Sequence, residues 1–236
     1  IKKLLLSAQN KYLGQSTATG GLRHERFLKK RASRSLNFEL PAGLKFLKEA
    51  KGLTIMTRII AVANQNGGVG KTTCAINIAY GWARMRGTGS ALLIDADPQA
   101  NATSVALGIP FANGPRRAGV GVLFEVLLDR LSVGEVIQTV TVPENYNYPA
   151  TSLDILPSHL QLAEAEAELM GEFHREYKLK TALAEIQESY EAIFIDCPPS
   201  LGVLTMNALL AANEVIIPVE PGVFPLVGIQ YLNSTI

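Results

Sequence analysis

The chain has 236 residues, 47% of them hydrophobic, which is enough to form one substantial α/β domain. Its net charge of +1 conceals an uneven distribution: residues 1–55 contain 12 Lys and Arg against 3 Asp and Glu, whereas the remainder contains 10 against 18. No apolar stretch is long enough to cross a membrane. Two cysteines and three scattered histidines exclude a disulfide-rich protein and a Cys/His metal motif.

Residues 1–55 form a basic N-terminal extension for which four interpretations stay open. We favour sequence translated from upstream of the natural start, non-native or disordered, because the first methionine is Met56. The basic run at 29–34 would instead suit an arm that neutralises nucleic-acid phosphates. A targeting peptide fits the basic, acid-poor composition. A small helix-turn-helix is the fourth interpretation, although Pro41 and Gly43 interrupt its best stretch.

A phosphate-binding loop is predicted at residues 64–73, between an apolar strand at 58–63 and a helix. Glycines let successive backbone N–H groups turn toward an anion, and the helix dipole favours the same negative charge. Lys71 is expected to reach the β- and γ-phosphates of a nucleotide, and the Thr72 hydroxyl to ligate Mg²⁺. The ordinary motif is not met, since Gln65 stands where its first glycine belongs, so the loop is a deviant form with a glycine pair.

The loop residues and the helix face that follows them are predicted individually. The residues expected to bind the nucleotide are Gly67, Gly68, Val69, Gly70, Lys71, Thr72 and Thr73. The apolar residues expected on one face of the helix are Ala75, Ile78, Ala79 and Trp82. The two cysteines lie beside this region, Cys74 inside the helix and Cys197 far along the chain, and we interpret both as small buried apolar residues.

Two further apolar runs end in carboxylates. Residues 91–95 lead into Asp95 and Asp97, and residues 192–196 end in Asp196. In open α/β sheets, ligands bind outside the carboxyl ends of the strands. A carboxylate placed there can hold Mg²⁺ or orient an attacking water, as phosphoryl transfer requires. These three carboxylates are therefore candidate site residues.

The remaining pattern alternates strands with helices, which predicts an α/β fold with a doubly wound, mainly parallel sheet flanked by helices. Further strands are expected at 152–156 and 214–219, and further helices at 177–189 and 202–212. Two more helices are predicted from apolar faces formed by Phe124, Leu127, Leu128 and Leu131, and by Leu160, Ala163, Ala167 and Met170. Residues 108–119 are expected to form a surface loop that moves with the state of the nucleotide.

Residues 56–236 resemble the ParA/MinD group of deviant Walker ATPases, and within it the ParA/Soj partition ATPases. Besides the loop, the resemblance rests on four ordered segments, 93–103, 155–163, 195–201 and 207–209. It implies a P-loop NTPase domain in which Lys71 binds phosphate and is catalytic, Asp97 positions the hydrolytic water, and Asp196 is the Walker B carboxylate. It further implies that Thr72 and Asp196 hold magnesium, with Asp95 as another candidate.

The resemblance also implies a function. ATP and Mg²⁺ would be the cofactors, and ATP would join two copies of the chain in a dimer that binds non-specific DNA. A ParB-like centromere-binding protein would stimulate hydrolysis, with loops 95–103 and 196–202 relaxing when the γ-phosphate leaves. The protein would be cytoplasmic and nucleoid-associated, without a membrane anchor. Family members continue beyond residue 236, so we expect that the part carrying adenine contacts and part of the DNA-binding surface is missing.

Two alternatives to DNA partitioning stay open. One is a MinD-like or other ATPase that positions a different cargo, such as a division-site machine. The other is a nucleotide-binding module with impaired hydrolysis, because Asn66 stands where the family places a lysine that reaches the partner's phosphates. Asn66 offers a hydrogen bond but no charge. The substitution would be harmless if another basic residue supplied the cation, and the candidates are Arg84, Arg86, Arg116 and Arg117.

Overall fold

A computed structural model of the chain describes residues 56–108, 121–142, 144 and 150–220. The predicted N-terminal extension, most of the predicted 108–119 loop and residues 221–236 lie outside the described residues. The strands are β1 (Arg58–Val62), β2 (Ala91–Asp95), β3 (Gln138–Val142), β4 (Thr151–Leu156), β5 (Ala192–Asp196) and β6 (Glu214–Ile216). The helices are α1 (Lys71–Arg86), α2 (Asn101–Leu107), α3 (Leu123–Leu127), α4 (Val133–Val136), α5 (Leu162–Leu169), α6 (Lys178–Ala184) and α7 (Val203–Ala211), with 3₁₀ turns at Arg175–Tyr177 and Gln187–Ser189.

The strands form one sheet in the order β3-β4-β2-β5-β1-β6. All neighbouring pairs are parallel except β3 and β4. The predicted doubly wound, mainly parallel fold is therefore confirmed, and the antiparallel edge strand β3 is an addition that sequence analysis did not predict. Its sequence, Gln-Thr-Val-Thr-Val, alternates polar and apolar residues rather than running apolar throughout, as strands with one wet face do.

Two apolar cores cover the two faces of the sheet. Alternate residues of each central strand point to opposite faces, so Ile59 and Ala61 belong to one core and Ile60 and Val62 to the other. Helix α1 covers the second face, while α3, α5, α6 and α7 contribute to the first. These cores hold the carboxyl ends of β1, β2 and β5 side by side, where the predicted site residues lie.

The predicted face of α1 is partly wrong. The helix buries Ala75, Ala79 and Ala83 completely, whereas Trp82 is half-buried and Ile78 is exposed. The alanine stripe explains the difference, since small side chains let a helix lie close against a sheet and leave bulkier neighbours at the margin.

The other helix predictions need similar corrections. Helix α5 begins only at Leu162 and buries Leu162, Ala165 and Leu169, so the predicted Leu160, Ala163, Ala167 and Met170 face is exposed. A helical period is present, but the face that packs on the core is the one opposite the predicted face, offset from it by two residues. The predicted helix 177–189 is divided into two 3₁₀ turns and the short α6. In α3, Leu128 and Leu131 fall beyond the helix end.

Strand β6 is shorter and less buried than predicted. It covers Glu214–Ile216 instead of 214–219, and its residues are exposed or half-buried. Among the described strands it occupies an edge, where only β1 pairs with it. The predicted helix at 202–212 is confirmed as α7. Within the described parts of the chain, no helix has the length and apolar character needed to span a membrane.

Candidate nucleotide-binding site

The predicted phosphate loop connects β1 to α1. Gly68 and Gly70 have φ angles of 77° and 86°, in the left-handed region that disfavours side chains. Among the residues that the structure describes, no heavy atom outside the adjoining residues lies within 4 Å of a Cβ built on either glycine, so the positive φ angles are the reason for glycine at both positions. Gly70 is the N-cap of α1, where free backbone N–H groups and the helix dipole attract anions.

Asn64 fixes the entrance to this loop. It is buried, its Oδ1 accepts a hydrogen bond from the Asn66 backbone N–H at 3.0 Å, and its Nδ2 donates to the Pro218 carbonyl at 2.8 Å. The loop is therefore tied to the segment that follows β6. In the sequence, Asn64 is part of the predicted loop at 64–73 and has no separate role; the signal available was an amide side chain directly after the apolar run at 58–63.

Lys71 lies inside the loop that it is predicted to serve. Its side chain is buried, and Nζ donates a hydrogen bond to the Asn66 carbonyl oxygen at 2.8 Å. Burial lowers the pKa of Lys71, whereas the carboxylates of Asp196 and Asp97 act in the opposite direction. The lysine is thus held between the loop backbone and two carboxylates that were predicted independently.

Asp196 ends β5 and is fully buried, yet neither carboxylate oxygen has a hydrogen-bond partner among the described residues. Burial, followed by the charge of Asp95, raises the pKa of Asp196 to about 7. The Thr72 hydroxyl lies close enough to oppose that rise in pKa, although it forms no hydrogen bond of good distance and angle. A buried carboxylate without partners is costly, so this group is prepared for a ligand.

Asp95 ends β2 and is the register partner of Asp196 on the adjacent strand. It is also fully buried, but its oxygens are engaged within the protein. Oδ1 accepts from the Asp97 backbone N–H at 3.2 Å, and Oδ2 accepts from the backbone N–H and the hydroxyl of Thr103, both at 2.7 Å. Burial raises the pKa of Asp95 to about 6 despite these hydrogen bonds. Its contacts favour anchoring the following loop; a magnesium role stays a prediction.

Asp97 lies two residues further, 8% exposed at the mouth of the site. Its Oδ1 accepts a hydrogen bond from the Gln99 backbone N–H at 2.9 Å, and its carbonyl oxygen accepts one from the Ser158 hydroxyl at 2.7 Å. Sequence analysis gave Ser158 no role of its own. The Ile-Leu-Pro-Ser segment in which it lies contains the last two residues of β4, and a serine just beyond a buried strand was the signal for a contact at this edge.

The structure brings most of the predicted site residues to one edge of the sheet. Electrostatic interactions connect Lys71, Asp97 and Asp196, while Thr72 lies next to Asp196. Gly67 and Thr73 are exposed, and Val69 is half-buried. The described residues contain no group of three or more His, Cys, Asp and Glu side chains arranged around a metal ion. Mg²⁺ in a phosphate site needs no such group, because waters and phosphates complete its shell.

The cysteines differ in their surroundings. Cys197 is buried, and its backbone N–H donates to the Val62 carbonyl at 3.2 Å, which joins the ends of β5 and β1. Burial raises the pKa of the Cys197 thiol. Cys74 is only half-buried, so the prediction that both are small buried residues is right for Cys197 alone.

Comparison with known proteins identifies the family of the chain. The model of the AAA_31 family, described as an AAA domain, matches residues 57–236. The chain is 43% identical over 185 residues to the sporulation initiation inhibitor protein Soj of Bacillus subtilis (strain 168), covering 77% of this chain and 65% of that protein. It is 39% identical over 193 residues to the chromosome partitioning protein ParA of Myxococcus xanthus (strain DK1622), covering 82% and 62%.

A solved structure shares the fold as well. Cobyrinic acid a,c-diamide synthase from Mycobacterium smegmatis, with bound ADP and magnesium, superposes with a TM-score of 0.64 at 37% identity, covering 76% of this chain and 66% of that one. The chain spans about two thirds of the length of the curated relatives it matches, at 65% and 62%. By its family match and its relatives, the chain belongs to the AAA_31 family of AAA domains, within the ParA/MinD superfamily and similar to Soj and ParA.

Proposed function

We propose that the chain binds and hydrolyses ATP with Mg²⁺ as an ATP-dependent dimerisation switch in DNA partitioning. The observation that carries the nucleotide part is the buried Asp196 beside the phosphate loop, whose two oxygens have no hydrogen-bond partner in the described parts of the chain. A hydrated divalent cation satisfies such a carboxylate. The residues present therefore fit Mg²⁺ and ATP, and the structure named above holds ADP and magnesium.

Each site residue has a proposed part in this chemistry. Thr72 and Asp196 hold Mg²⁺, which neutralises charge on the phosphates when bound. The phosphates lie against the N–H groups of residues 67–73 and the ammonium of Lys71, which would exchange its Asn66 carbonyl contact for a phosphate oxygen. Asp97 orients the attacking water from the mouth of the site.

DNA partitioning is supported by the relatives. Two of them are named for partitioning or for Soj, at 39% and 43% identity. We propose a cytoplasmic, nucleoid-associated protein whose ATP-bound homodimer binds non-specific DNA and whose hydrolysis is stimulated by a ParB-like partner. A MinD-like or other positioning role is the alternative, and it would show as ATP-dependent dimers that do not bind DNA.

The different roles proposed for Lys71, in the phosphate loop, and for Asp97, in the loop after β2, can be tested by measuring nucleotide binding. Lys71→Ala should abolish binding of a fluorescent ATP analogue, whereas Asp97→Ala should bind it normally and lose turnover. Lys178→Ala is a matched control, because this lysine is paired with Asp129 and Glu172 away from the site. Equal loss of binding in the Lys71 and Asp97 variants would refute the assignment.

The proposed rate of ATP hydrolysis depends on Asn66. Its backbone is held by Asn64 and Lys71, while the residue itself is exposed, so an exchanged side chain would extend away from the loop. A cation supplied by a partner subunit is worth about 10³–10⁵ in rate in related phosphoryl transfer. We propose that the absence of such a cation at position 66 leaves ATP binding intact, weakens dimerisation and slows hydrolysis.

The test compares Asn66→Lys with wild type in the full-length protein, with Gln65→Lys as control for an added charge one residue earlier. Asn66→Lys should raise both steady-state ATPase activity and ATP-dependent dimerisation, measured by light scattering. If Asn66→Lys is no faster and dimerises no better than Gln65→Lys, the residue does not limit turnover. DNA binding by the wild-type dimer then separates the partition proposal from the alternative.

A further inference from the structure

We propose that Ser158 and Thr103 are positioning residues that hold the Asp97 backbone in place for hydrolysis. The inference rests on the proposed function, because it assumes that Asp97 orients the attacking water. What suggests it is a closed ring of hydrogen bonds that starts at the Asp97 backbone N–H and returns to the Asp97 carbonyl oxygen.

The first half of the ring runs through Asp95. The Asp97 backbone N–H donates to Asp95 Oδ1 at 3.2 Å, and Asp95 Oδ2 accepts from both the Thr103 backbone N–H and its hydroxyl at 2.7 Å. Asp95 is 0% exposed and Thr103 1% exposed, so water does not compete for these groups. The start and the end of the loop are joined at one carboxylate.

The second half of the ring runs through Ser158, which follows β4. The Ser158 backbone N–H donates to the Thr103 hydroxyl oxygen at 2.8 Å, and the Ser158 hydroxyl donates to the Asp97 carbonyl oxygen at 2.7 Å. Ser158 is 0% exposed. Since β4 pairs with β2 in the sheet, the ring fixes both backbone groups of Asp97 against the sheet and not merely against its own loop.

The loop also has hydrogen bonds of its own, since the Ala100 backbone N–H donates to the Asp97 carbonyl and the Gln99 backbone N–H to Asp97 Oδ1, both at 2.9 Å. Those bonds stay within the loop, whereas the Ser158 hydroxyl ties the Asp97 carbonyl to the end of β4. Between the two anchors, the chain turns through Ala100, which has a positive φ of 52°, a conformation that L-residues adopt only when their surroundings impose it. A displacement of about 1 Å in a catalytic group costs about 100-fold in rate. Ser158 and Thr103 touch no reacting atom in this proposal; they act through Asp97.

The chain offers a matched pair of serines for the experiment. Ser158 and Ser152 lie at the two ends of one segment and are both buried, but the Ser152 hydroxyl has no hydrogen-bond partner among the described residues. In the full-length protein, Ser158→Ala should lower kcat about tenfold or more and change ATP affinity by less than about twofold. Ser152→Ala should leave both within about twofold. Thr103→Val should behave as Ser158→Ala, and Thr103→Ser, which keeps the hydroxyl, should restore turnover.

Two readouts separate positioning from general destabilisation. In an Asp97→Ala background, Ser158→Ala should reduce turnover no further, and amide hydrogen exchange at residues 97–103 should rise in Ser158→Ala but not in Ser152→Ala. Equal turnover and exchange in the two serine variants, or a further loss in the Asp97→Ala background, would overturn the proposal. Normal turnover in Asp97→Ala itself would instead overturn the proposed role of Asp97.

Discussion

The ends of β2 and β5 place two carboxylates side by side, but the two differ in their hydrogen-bond partners. Asp95 and Asp196 are register partners, and both are fully buried. Asp95 accepts three hydrogen bonds from its own loop, whereas both Asp196 oxygens lack partners among the described residues. Burial alone therefore does not identify a binding group. The partners of the buried group separate a structural carboxylate from one that is left available for a ligand.

The largest expected effect tests the structural side of this comparison. Asp95→Ala leaves three buried donors without an acceptor, so we expect a loss of about 2–3 kcal/mol in the free energy of unfolding. Urea denaturation measures it, with Glu164→Ala, an exposed residue in the first turn of α5, as the control. A loss as small as that of the control would mean that the hydrogen bonds of Asp95 do not stabilise the loop.

The second prediction concerns Asp196, for which we expect a substitution to raise the free energy of unfolding instead of lowering it. Its pKa is about 7 in the folded chain, above the usual value of about 4. Its protonation therefore favours the folded state, and this contribution is lost as pH rises from about 4 through about 7. Asp196→Asn should remove that loss and raise the free energy of unfolding above pH 7 by on the order of 2 kcal/mol. Magnesium-dependent ATP binding should fall.

Unfolding of wild type and Asp196→Asn across pH 4–8, without nucleotide, checks the sign. Wild type should lose stability relative to the variant as pH rises, and the two should converge near pH 4. A variant that is less stable than wild type at pH 8 would show that the Asp196 carboxylate has protein partners after all.

A third prediction extends the comparison to the loop after β1, where the feature tested is the backbone conformation of a glycine and not the contacts of a side chain. Gly70→Ala adds a Cβ to a residue whose φ is 86°. The substitution should lower the free energy of unfolding by about 1–2 kcal/mol, and it should also lower the affinity for ATP. Gly67→Ala is the matched control, since Gly67 has open space and no positive φ. Equal stability of the two variants would show that the loop relaxes to accommodate a side chain.

The smallest effect concerns chemical reactivity. Cys197 is buried, and its thiol pKa is raised, whereas Cys74 is half-buried in the first turn of α1. Because the thiolate is the reactive form, a thiol reagent should label Cys74 in the native protein and Cys197 only after unfolding. Mass spectrometry of labelled peptides measures this, and rapid native labelling of Cys197 would show that the end of β5 opens readily.

The sequence predicted the fold, and it predicted that the candidate site residues lie together at one edge of the sheet, because both depend on local patterns. Continuous apolar runs mark the central parallel strands, and the glycines with Lys71 and Thr72 mark the phosphate loop. What it did not predict depends on long-range contacts. The position of Ser158 just beyond β4 indicates a contact at this edge of the sheet, but it does not identify the Asp97 carbonyl, 61 positions away, as the partner of its hydroxyl.

The errors in helix faces have a related cause. Helical periodicity in an alanine-rich stretch is compatible with several faces, and the face that is buried depends on contacts with the rest of the fold. Helix α5 buries Leu162, Ala165 and Leu169, whereas α1 buries a stripe of alanines that allows close packing on the sheet. Likewise, the sequence could not distinguish Asp95 from Asp196, because both follow similar apolar strands and only the folded chain gives them different partners.

The amide of Asn64 sets a fixed spacing between the loop that follows β1 and the segment that follows β6. Its Oδ1 accepts from the Asn66 backbone N–H, and its Nδ2 donates to the Pro218 carbonyl, so the two segments are separated by the length of one short side chain. The carbonyl of the same Asn66 accepts from the Lys71 ammonium. Pro218 and Lys71 are therefore connected through three consecutive hydrogen bonds, and a displacement of the segment after β6 would be felt at the lysine that we propose to bind phosphate.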